Sequence, residues 1–407
     1  MSHIITGLDF GSSSVKGVVV QVRKDGNLSV ITAFRHPAGG FRRGTLVDAE
    51  EASTVMHELV KELQGISRQA TKNVYLNFNS EQIKTRPSRS IVAVARSDQE
   101  IQQEDVDRAL ESSRAFKLPP NHIVVHNITR EYFVDDVGDI QDPVGMTGNR
   151  LEASTLIVEG FAPQVNTLTR QAERAGMSVS GVIFNPLAAS KSVLTKRQKD
   201  LGAMLVDFGA DTTTFAVYEE NKLVHAKCLP LGASYITKDL AVGLKISYDL
   251  AEQLKLDLGS AEVGEVNRRE NIRLSAFDPD NRQEISKRFM CEIIEVRLAE
   301  ILDLIHNELK ALGRPLQLPG GVVMVGGGSK LRGISEAVRH HLKLPVQLGI
   351  PDTAPFEAMN PAHHNLLQDP EFAVASGLTL WGLTEEDSRP VSNPFDALTN
   401  IFKNLAP

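Results

Sequence analysis

A segment that ends in Asp-Phe-Gly occurs twice in this 407-residue chain and restricts its fold more than any other feature. In each copy an apolar run leads into Asp-Phe-Gly, a turn of small and hydroxyl-bearing residues follows, and a second apolar run comes after it, over residues 4–22 and 204–218. This order predicts a β-hairpin. Two such hairpins, one in each half of the chain, predict two similar α/β domains that present their hairpins to one ligand.

The composition of these turns is typical of a site for a nucleoside triphosphate. Small turn residues let backbone N–H groups and hydroxyls approach phosphate oxygens, and Asp9 and Asp207 are candidates for holding the hydrated Mg²⁺ that phosphates require. A tight strand exit would explain one copy alone, whereas the duplication favours a ligand site. The predicted phosphate-binding residues are Gly11, Ser12, Ser13, Ser14 and Lys16 in the first copy and Gly209, Ala210, Asp211, Thr212 and Thr213 in the second.

A third glycine cluster follows a predicted strand over residues 321–325 and precedes a predicted helix over residues 331–342. Bare backbone at a helix N-terminus suits a flat or anionic group, although a GGGS sequence also occurs in ordinary loops. The chain contains no P-loop and none of the partner motifs of a protein kinase, which excludes those two NTPase classes. The residues predicted to contact the nucleotide here are Gly326, Gly327, Gly328 and Lys330.

Composition excludes further classes. Lys and Arg number 44 against 51 Asp and Glu, and the net charge of −7 gives no electrostatic reason to bind nucleic acid. No run reaches the roughly 20 apolar residues that span a bilayer, and no secretory signal pattern is present, so we expect a cytoplasmic protein with membrane-surface attachment left open.

Cys228 and Cys291 lack CxxC spacing and are expected to be small buried residues. The histidine pairs at 340–341 and 363–364 lack further ligands at metal-site spacing.

Five segments, in order, resemble the signature of the actin, Hsp70 and sugar-kinase superfamily, which comprises two phosphate loops, an adenosine loop and two connecting helices. The resemblance implies an α/β, actin-like (ribonuclease H-like) two-domain ATPase fold around a cleft that binds ATP with Mg²⁺. Glu252 and Lys255 resemble the pair with which these proteins contact the adenosine. The five segments are residues 8–16, 185–194, 205–214, 323–333 and 373–382.

A segment between residues 87 and 160 is not needed by the duplicated-domain plan. Residues 130–152, REYFVDDVGDIQDPVGMTGNRLE, resemble FtsA, a family of actin-like proteins of bacterial cell division, and residues 289–301 are similar to the long helix of that family. An α+β subdomain inserted in domain one is therefore expected. Its predicted elements are strands at 90–95, 123–128, 131–134 and 154–159 and a helix from about 103 to 116.

The resemblance also implies the domain plan. It consists of the domain one core at 1–85 and 166–204, the inserted subdomain at 86–165, the domain two core at 205–240 and 320–360, the outer subdomain of domain two at 241–319, a return to domain one at 361–383, a linker at 384–392 and an amphipathic membrane-targeting helix at 393–407.

The FtsA resemblance implies partners as well. Proteins of this family bind the C-terminal peptide of the tubulin-like protein FtsZ through the outer subdomain of domain two. Arg297, with Lys287 and Arg288 nearby, is the candidate contact for an acidic peptide, although a solvated helix face explains the same residues. The inserted subdomain is expected to pack against the next subunit of a filament and to bind other division proteins. The resemblance places the protein at the cytoplasmic face of the membrane, at the division site.

Residues 393–407 predict an amphipathic helix. Asn393 and Pro394 give a helix-start signal, and five apolar residues follow at helical spacing on one face. Because FtsA relatives end in a membrane-targeting helix, the same role is implied here, with folding back onto the protein body as the alternative. The predicted membrane-facing residues are Phe395, Leu398, Ile401, Phe402 and Leu405.

Two positions predict slow or absent ATP hydrolysis, so that the nucleotide would act as a structural ligand. Asn185 lies where hydrolysing relatives often carry a glutamate that orients water, and an amide holds water without taking its proton. Asp211 stands where many relatives have glycine; we expect it either to lie near the phosphates, as a repelling charge or a metal-shell ligand, or to turn outward. A sugar or acetate kinase and a pilus-assembly relative of FtsA are the alternative functions.

Overall fold

The computed structural model describes residues 3–23, 27–312, 318–358 and 360–387. The strands of this part of the chain are β1 (His3–Phe10), β2 (Ser14–Val22), β3 (Leu28–Pro37), β4 (Phe41–Arg42), β5 (Thr45–Leu46), β6 (Val74–Phe78), β7 (Lys84–Ala93), β8 (His122–Val134), β9 (Val137–Ile140), β10 (Arg150–Phe161), β11 (Val179–Phe184), β12 (Ala203–Phe208), β13 (Thr213–Glu219), β14 (Lys222–Leu229), β15 (Asn271–Arg273), β16 (Glu284–Ser286), β17 (Gly321–Val325), β18 (Val346–Leu348) and β19 (Phe356–Ala358).

The α-helices of the same part of the chain are α1 (Ala49–Ile66), α2 (Gln103–Ser113), α3 (Ala162–Ala175), α4 (Asn185–Val193), α5 (Lys196–Leu201), α6 (Ala233–Leu244), α7 (Tyr248–Leu258), α8 (Lys287–Ala311), α9 (Ile334–Leu342), α10 (Pro361–Leu367) and α11 (Ala373–Asp387).

Domain one is built around the first Asp-Phe-Gly hairpin, as the sequence predicts. β1 pairs antiparallel with β2, which places Asp9 opposite Lys16, and β1 pairs in parallel with β6 on its other side. The complete sheet has the order β11, β6, β1, β2, β3, β19. Helix α11 packs so closely on β1 that a methyl group at Gly7 would lie 2.5 Å from the Ala375 carbonyl oxygen.

Domain two repeats this plan around the second hairpin. β12 pairs antiparallel with β13 and in parallel with β17, in a sheet of order β14, β13, β12, β17, β18. Side chains alternate across β12. Met204 and Phe208 pack in the core with α6 to α9, whereas Leu205 belongs to the core of domain one. The two domains are therefore joined by packed apolar side chains as well as by the chain itself.

The inserted α+β subdomain is an antiparallel sheet of order β7, β10, β8, β9 with helix α2 packed on it. The two strands predicted at 123–128 and 131–134 are one strand, β8. Its pairing with β10 continues past Arg130, which is accommodated as a bulge opposite the step from Ser154 to Thr155.

Several predicted bounds are corrected. The helix predicted over 331–342 begins at Ile334, because Gly333 has a φ of +73° and a 3-10 turn, Gly327–Lys330, precedes it. The stretch predicted as a linker from residue 384 is helical as far as Asp387, since it contains no glycine or proline that would end α11. The predicted domain boundaries at 85/86, 165/166, 204/205 and 240/241 fall inside β7, α3, β12 and α6.

Cys228 and Cys291 are both buried, as predicted, and both are free thiols. In the part of the chain that the structure describes, no helix is long and apolar enough to cross a membrane. The predicted membrane-facing residues Phe395, Leu398, Ile401, Phe402 and Leu405 lie outside the described residues.

Candidate nucleotide-binding cleft

A cavity of about 790 Å³ lies between the two domains and is lined by both hairpin turns and by the third glycine cluster. Of the residues predicted to bind nucleotide, metal or water, Thr213 is the one outside the lining, because it is buried and its hydroxyl donates to the Leu231 carbonyl oxygen over 2.7 Å. The predicted residues that line the cavity are Asp9, Gly11, Ser12, Ser13, Ser14, Lys16, Asn185, Asp207, Gly209, Ala210, Asp211, Thr212, Glu252, Lys255, Gly326, Gly327, Gly328 and Lys330.

The two carboxylates of the Asp-Phe-Gly segments are almost fully buried. Lys16 Nζ lies 3.5 Å from Asp9 Oδ2, and Asp207 Oδ2 accepts hydrogen bonds from Asn185 Nδ2 (3.3 Å) and Thr214 Oγ1 (3.5 Å). Burial raises the pKa of Asp9, and burial together with the negative charge of Asp9 raises the pKa of Asp207 to about 6. Two buried carboxylates that repel each other therefore lie in the cavity wall, with one lysine beside them.

Two asparagines in the cavity wall, Asn77 and Asn79, were missed by the sequence analysis. They lie at the carboxyl end of β6, which runs parallel to β1 and ends at the same edge of the sheet. Asn77 Oδ1 accepts a hydrogen bond from Phe10 N–H (2.7 Å), and its Nδ2 donates to Asn185 Oδ1 (3.1 Å). Asn185 is therefore held between Asn77 and Asp207. The apolar run over residues 74–78, taken as a strand parallel to β1, is the signal that would have indicated both asparagines.

The third glycine cluster closes against the second hairpin. Gly326 has a φ of +83°, and a methyl group on it would lie 2.5 Å from Asp207 Oδ1, so only glycine allows this approach. Lys330 Nζ lies 3.2 Å from Glu371 Oε1, and Glu371 Oε2 also pairs with Arg35 at 2.9 Å. Arg35 and Glu371 also line the cavity. The sequence did not predict them as site residues, because both are remote from the hairpin turns along the chain.

Glu252 and Lys255 lie one turn apart on α7. Lys255 is buried, and its Nζ donates to Thr237 Oγ1 (2.8 Å) and pairs with Glu252 Oε2 (2.7 Å). Glu252 also accepts a hydrogen bond from the Thr237 hydroxyl. This network fixes both side chains on the domain two wall of the cavity.

The three cations that were predicted to contact an acidic peptide lie at two places on α8, with Lys287 and Arg288 adjacent in its first turn. Lys287, at the start of α8, lines the cleft cavity, whereas Arg297 lies about 15 Å further along the helix axis. A peptide would have to compete with carboxylates of the protein itself. The existing ion pairs are Lys287 with Glu270 (2.7 Å), Arg288 with Glu292 (3.1 Å), and Arg297 with Asp239 and Glu300.

Two α/β domains that each contribute a hairpin and a buried carboxylate to one cleft define the actin-like class of proteins. Solved structures of this class are similar over almost the whole chain. The PilM-PilN type IV pilus biogenesis complex is 18% identical, with a TM-score of 0.66, over 93% of this chain and 98% of that one. MreB5 of Spiroplasma citri bound to ADP is 13% identical, with a TM-score of 0.54, over 95% of this chain and 98% of that one. At these identities the likeness shows the fold.

Sequence comparisons narrow the class to a family. Residues 204–377 match the family described as Cell division protein FtsA, and residues 80–159 match the SHS2 domain inserted in FTSA. Cell division protein FtsA of Streptococcus pneumoniae is 32% identical over 90% of this chain and 79% of its own length. The Pseudomonas aeruginosa protein of that name is 28% identical over 94% of this chain and 90% of its own length. The chain belongs to the FtsA family and is an actin-like cell-division protein, which confirms the resemblance seen in residues 130–152.

Proposed function

We propose that the cleft binds ATP with Mg²⁺ and that the protein polymerises on the membrane at the division site, where it tethers FtsZ filaments. The observation that carries the nucleotide part is the single cavity in which two duplicated turns, two buried carboxylates and a glycine loop meet. MreB5, which shares the fold, has been solved bound to ADP. Membership of the FtsA family favours this function over that of a small-molecule kinase or a pilus-assembly protein.

Each part of the cavity has a chemical role in this proposal. Asp9 and Asp207 would hold Mg²⁺ through water, and the ion would neutralise charge on the phosphates. The two hairpin turns offer backbone N–H groups and hydroxyls to phosphate oxygens, and Lys16 is the counter-charge. The buried Ser14 hydroxyl has no hydrogen-bond partner among the described residues, which fits a role toward a ligand. Glu252 and Lys255 of α7 would contact the adenosine.

ATP with Mg²⁺ is expected to bind the purified protein, and isothermal titration calorimetry measures this directly. Lys16→Ala should weaken binding about tenfold, because it removes a charged contact with the phosphates. Lys196→Ala, which removes an exposed lysine on α5, is the matched control and should leave the affinity unchanged. Absence of binding at millimolar ATP in a folded sample would contradict the nucleotide part of the proposal.

Hydrolysis is expected to be slower than about one turnover per minute, far below the usual range for enzymes. The Asn185 amide is committed to Asn77 and Asp207 and has no capacity to take a proton from water. Asp211 also lines the cavity, and its two carboxylate oxygens accept hydrogen bonds from Arg43 N–H and from the Ser234 hydroxyl. Steady-state phosphate release above the critical concentration is the measurement. Faster turnover that disappears in Asp207→Ala would show this prediction to be wrong.

The remaining parts of the proposal rest on membership of the FtsA family. The FtsZ C-terminal peptide would bind the outer subdomain of domain two. The inserted subdomain would contact the next subunit of the filament and other division proteins. Polymerisation matters for the membrane part, because tails that bind weakly one at a time bind strongly when a filament presents many of them together.

A further inference from the structure

The nucleotide proposal leaves two features of the cleft unexplained. One is a short hairpin of domain one, made of β4 and β5 with Arg43 and Gly44 at its tip. The other is Asp211, the acidic residue in the second hairpin turn. Gly44 and Asp211 both line the cavity, although they belong to different domains. The two features are in direct contact.

The short hairpin is fixed to domain one. The Phe41 ring stacks on Phe10, which precedes the first phosphate turn, with ring centroids 5.2 Å apart and planes inclined by 21°. Gly44 has a φ of +72°, and a methyl group on it would lie 2.8 Å from the Asn79 carbonyl oxygen. Thr45 Oγ1 accepts a hydrogen bond from Gln164 Nε2 on α3 over 3.2 Å. The hairpin therefore moves with domain one.

Asp211 holds the tip of this hairpin from domain two. Its Oδ2 accepts a hydrogen bond from Arg43 N–H over 3.1 Å, and its Oδ1 accepts one from the Ser234 hydroxyl over 2.7 Å. Both oxygens are thus in use, and Ser234, in the first turn of α6, sets the orientation of the carboxylate. Thr212, the next residue in the turn, accepts a hydrogen bond from Asn79 Nδ2 over 2.9 Å, so a second bond crosses the cleft beside the first.

We infer that Asp211 is a positioning residue that latches the hairpin of domain one to the second phosphate turn and thereby slows the release of bound nucleotide. The inference rests on the proposed function. A ligand in the cavity lies between walls from both domains, so contacts that hold these walls together oppose its release. Two hydrogen bonds lie side by side across the cleft, from Arg43 N–H to Asp211 and from Asn79 to Thr212, and both must break when the walls separate. Asp211 acts by holding the walls together rather than by binding the metal.

Dissociation of a fluorescent ATP analogue, chased with excess ATP, tests the latch. Asp211→Ala removes the acceptor and should speed dissociation about tenfold. Asp211→Asn should stay close to the wild type, because the amide oxygen accepts from Arg43 N–H while the amide nitrogen donates to Ser234 Oγ. A charge-based role for Asp211, at the metal or the phosphates, predicts instead that the asparagine variant behaves like the alanine variant. Arg42→Ala removes an exposed charge from the same hairpin and is the matched control.

Gly44→Ala tests the latch from the side of domain one. Its methyl group pushes the hairpin tip away from Asn79, so dissociation of the analogue should again be faster. Combination with Asp211→Ala should add little, because both changes break the same contact between the hairpin tip and the second phosphate turn. In the nucleotide-free protein, amide hydrogen exchange over residues 41–46 should rise in Asp211→Ala and stay unchanged in Arg42→Ala.

Equal dissociation and exchange rates in the wild type and in Asp211→Ala would overturn the latch while leaving nucleotide binding in place. Dissociation that is equally fast in the asparagine and alanine variants would overturn it in favour of a charge-based role. A wild type that binds no analogue would contradict the nucleotide-binding proposal, and with it the effect of the latch on release.

Discussion

Asp207→Asn is expected to abolish Mg²⁺-dependent ATP binding and, at the same time, to stabilise the nucleotide-free protein. The asparagine keeps the shape of the side chain but removes one of the two charges proposed to hold the ion. The same charge is unfavourable in the nucleotide-free protein, because burial and the negative charge of Asp9 raise the pKa of Asp207 to about 6. At neutral pH this shift lowers the free energy of unfolding by about 3 kcal/mol.

The pH dependence of this effect has a definite sign. In the unfolded chain the pKa of the Asp207 carboxyl is near its ordinary value of 3.8, whereas in the folded, nucleotide-free protein this pKa is about 6. Between these values the folded state keeps a proton that the unfolded state has lost, so the stability of the wild type falls as the pH rises. Well above pH 6 Asp207 is ionised in both states, and the full loss of stability applies. The melting temperature of Asp207→Asn should therefore exceed that of the wild type by more at about pH 7.5 than at about pH 5.

Thermal unfolding with and without ATP and Mg²⁺ measures both effects in one experiment. The wild type should gain stability from the ligand by mass action, and Asp207→Asn should gain none. Asp98→Asn, at an exposed position in the inserted subdomain, is the matched control and should behave like the wild type. An Asp207→Asn protein that melts below the wild type without nucleotide, or that is stabilised by ATP as strongly, would contradict the assignment of this carboxylate.

The parts of the cleft that depend on local sequence were predictable. A hairpin turn needs small residues next to the strand that it ends, so Gly11 and Gly209 can be identified from the sequence. Gly326 must be glycine because its backbone approaches Asp207. Their positions around one cavity followed from the duplication and from the family resemblance. The element bounds were less predictable: β8 reads as two strands because its bulge at Arg130 interrupts the alternation of side chains.

The parts that depend on pairing between distant segments could not be predicted in this way. Asp211 could be placed in the cleft, but its direction is set by Ser234 and by the Arg43 N–H, and nothing near it in the sequence specifies these partners. Lys287 was assigned to a peptide surface, yet it lines the cleft, because the start of α8 lies at the cavity wall. Positions of this kind follow from how the two domains meet, which a periodic pattern within one segment does not encode.

Membrane attachment is expected to depend on both the C-terminal tail and polymerisation. In the predicted helix over residues 393–407, five apolar side chains inserted in the interface would contribute about 1 kcal/mol each. Each basic residue near an anionic surface adds about 1 kcal/mol, but the predicted polar face carries Lys403 together with Asp396 and therefore gains little from lipid charge. One tail alone would bind weakly, whereas the many tails of a filament act at high effective concentration.

Flotation of the protein with lipid vesicles in the presence of ATP and Mg²⁺ tests this expectation. Phe402→Asp and Ile401→Asp each place a charge in the middle of the predicted apolar face, so the floated fraction should fall to the level seen without vesicles. Asn400→Asp adds the same charge on the opposite face and should leave flotation almost unchanged. Dilution below the critical concentration should release the wild type, because single tails no longer act together. If both apolar-face variants float like the wild type, the tail is not the anchor; if the diluted wild type stays bound, attachment does not need the filament.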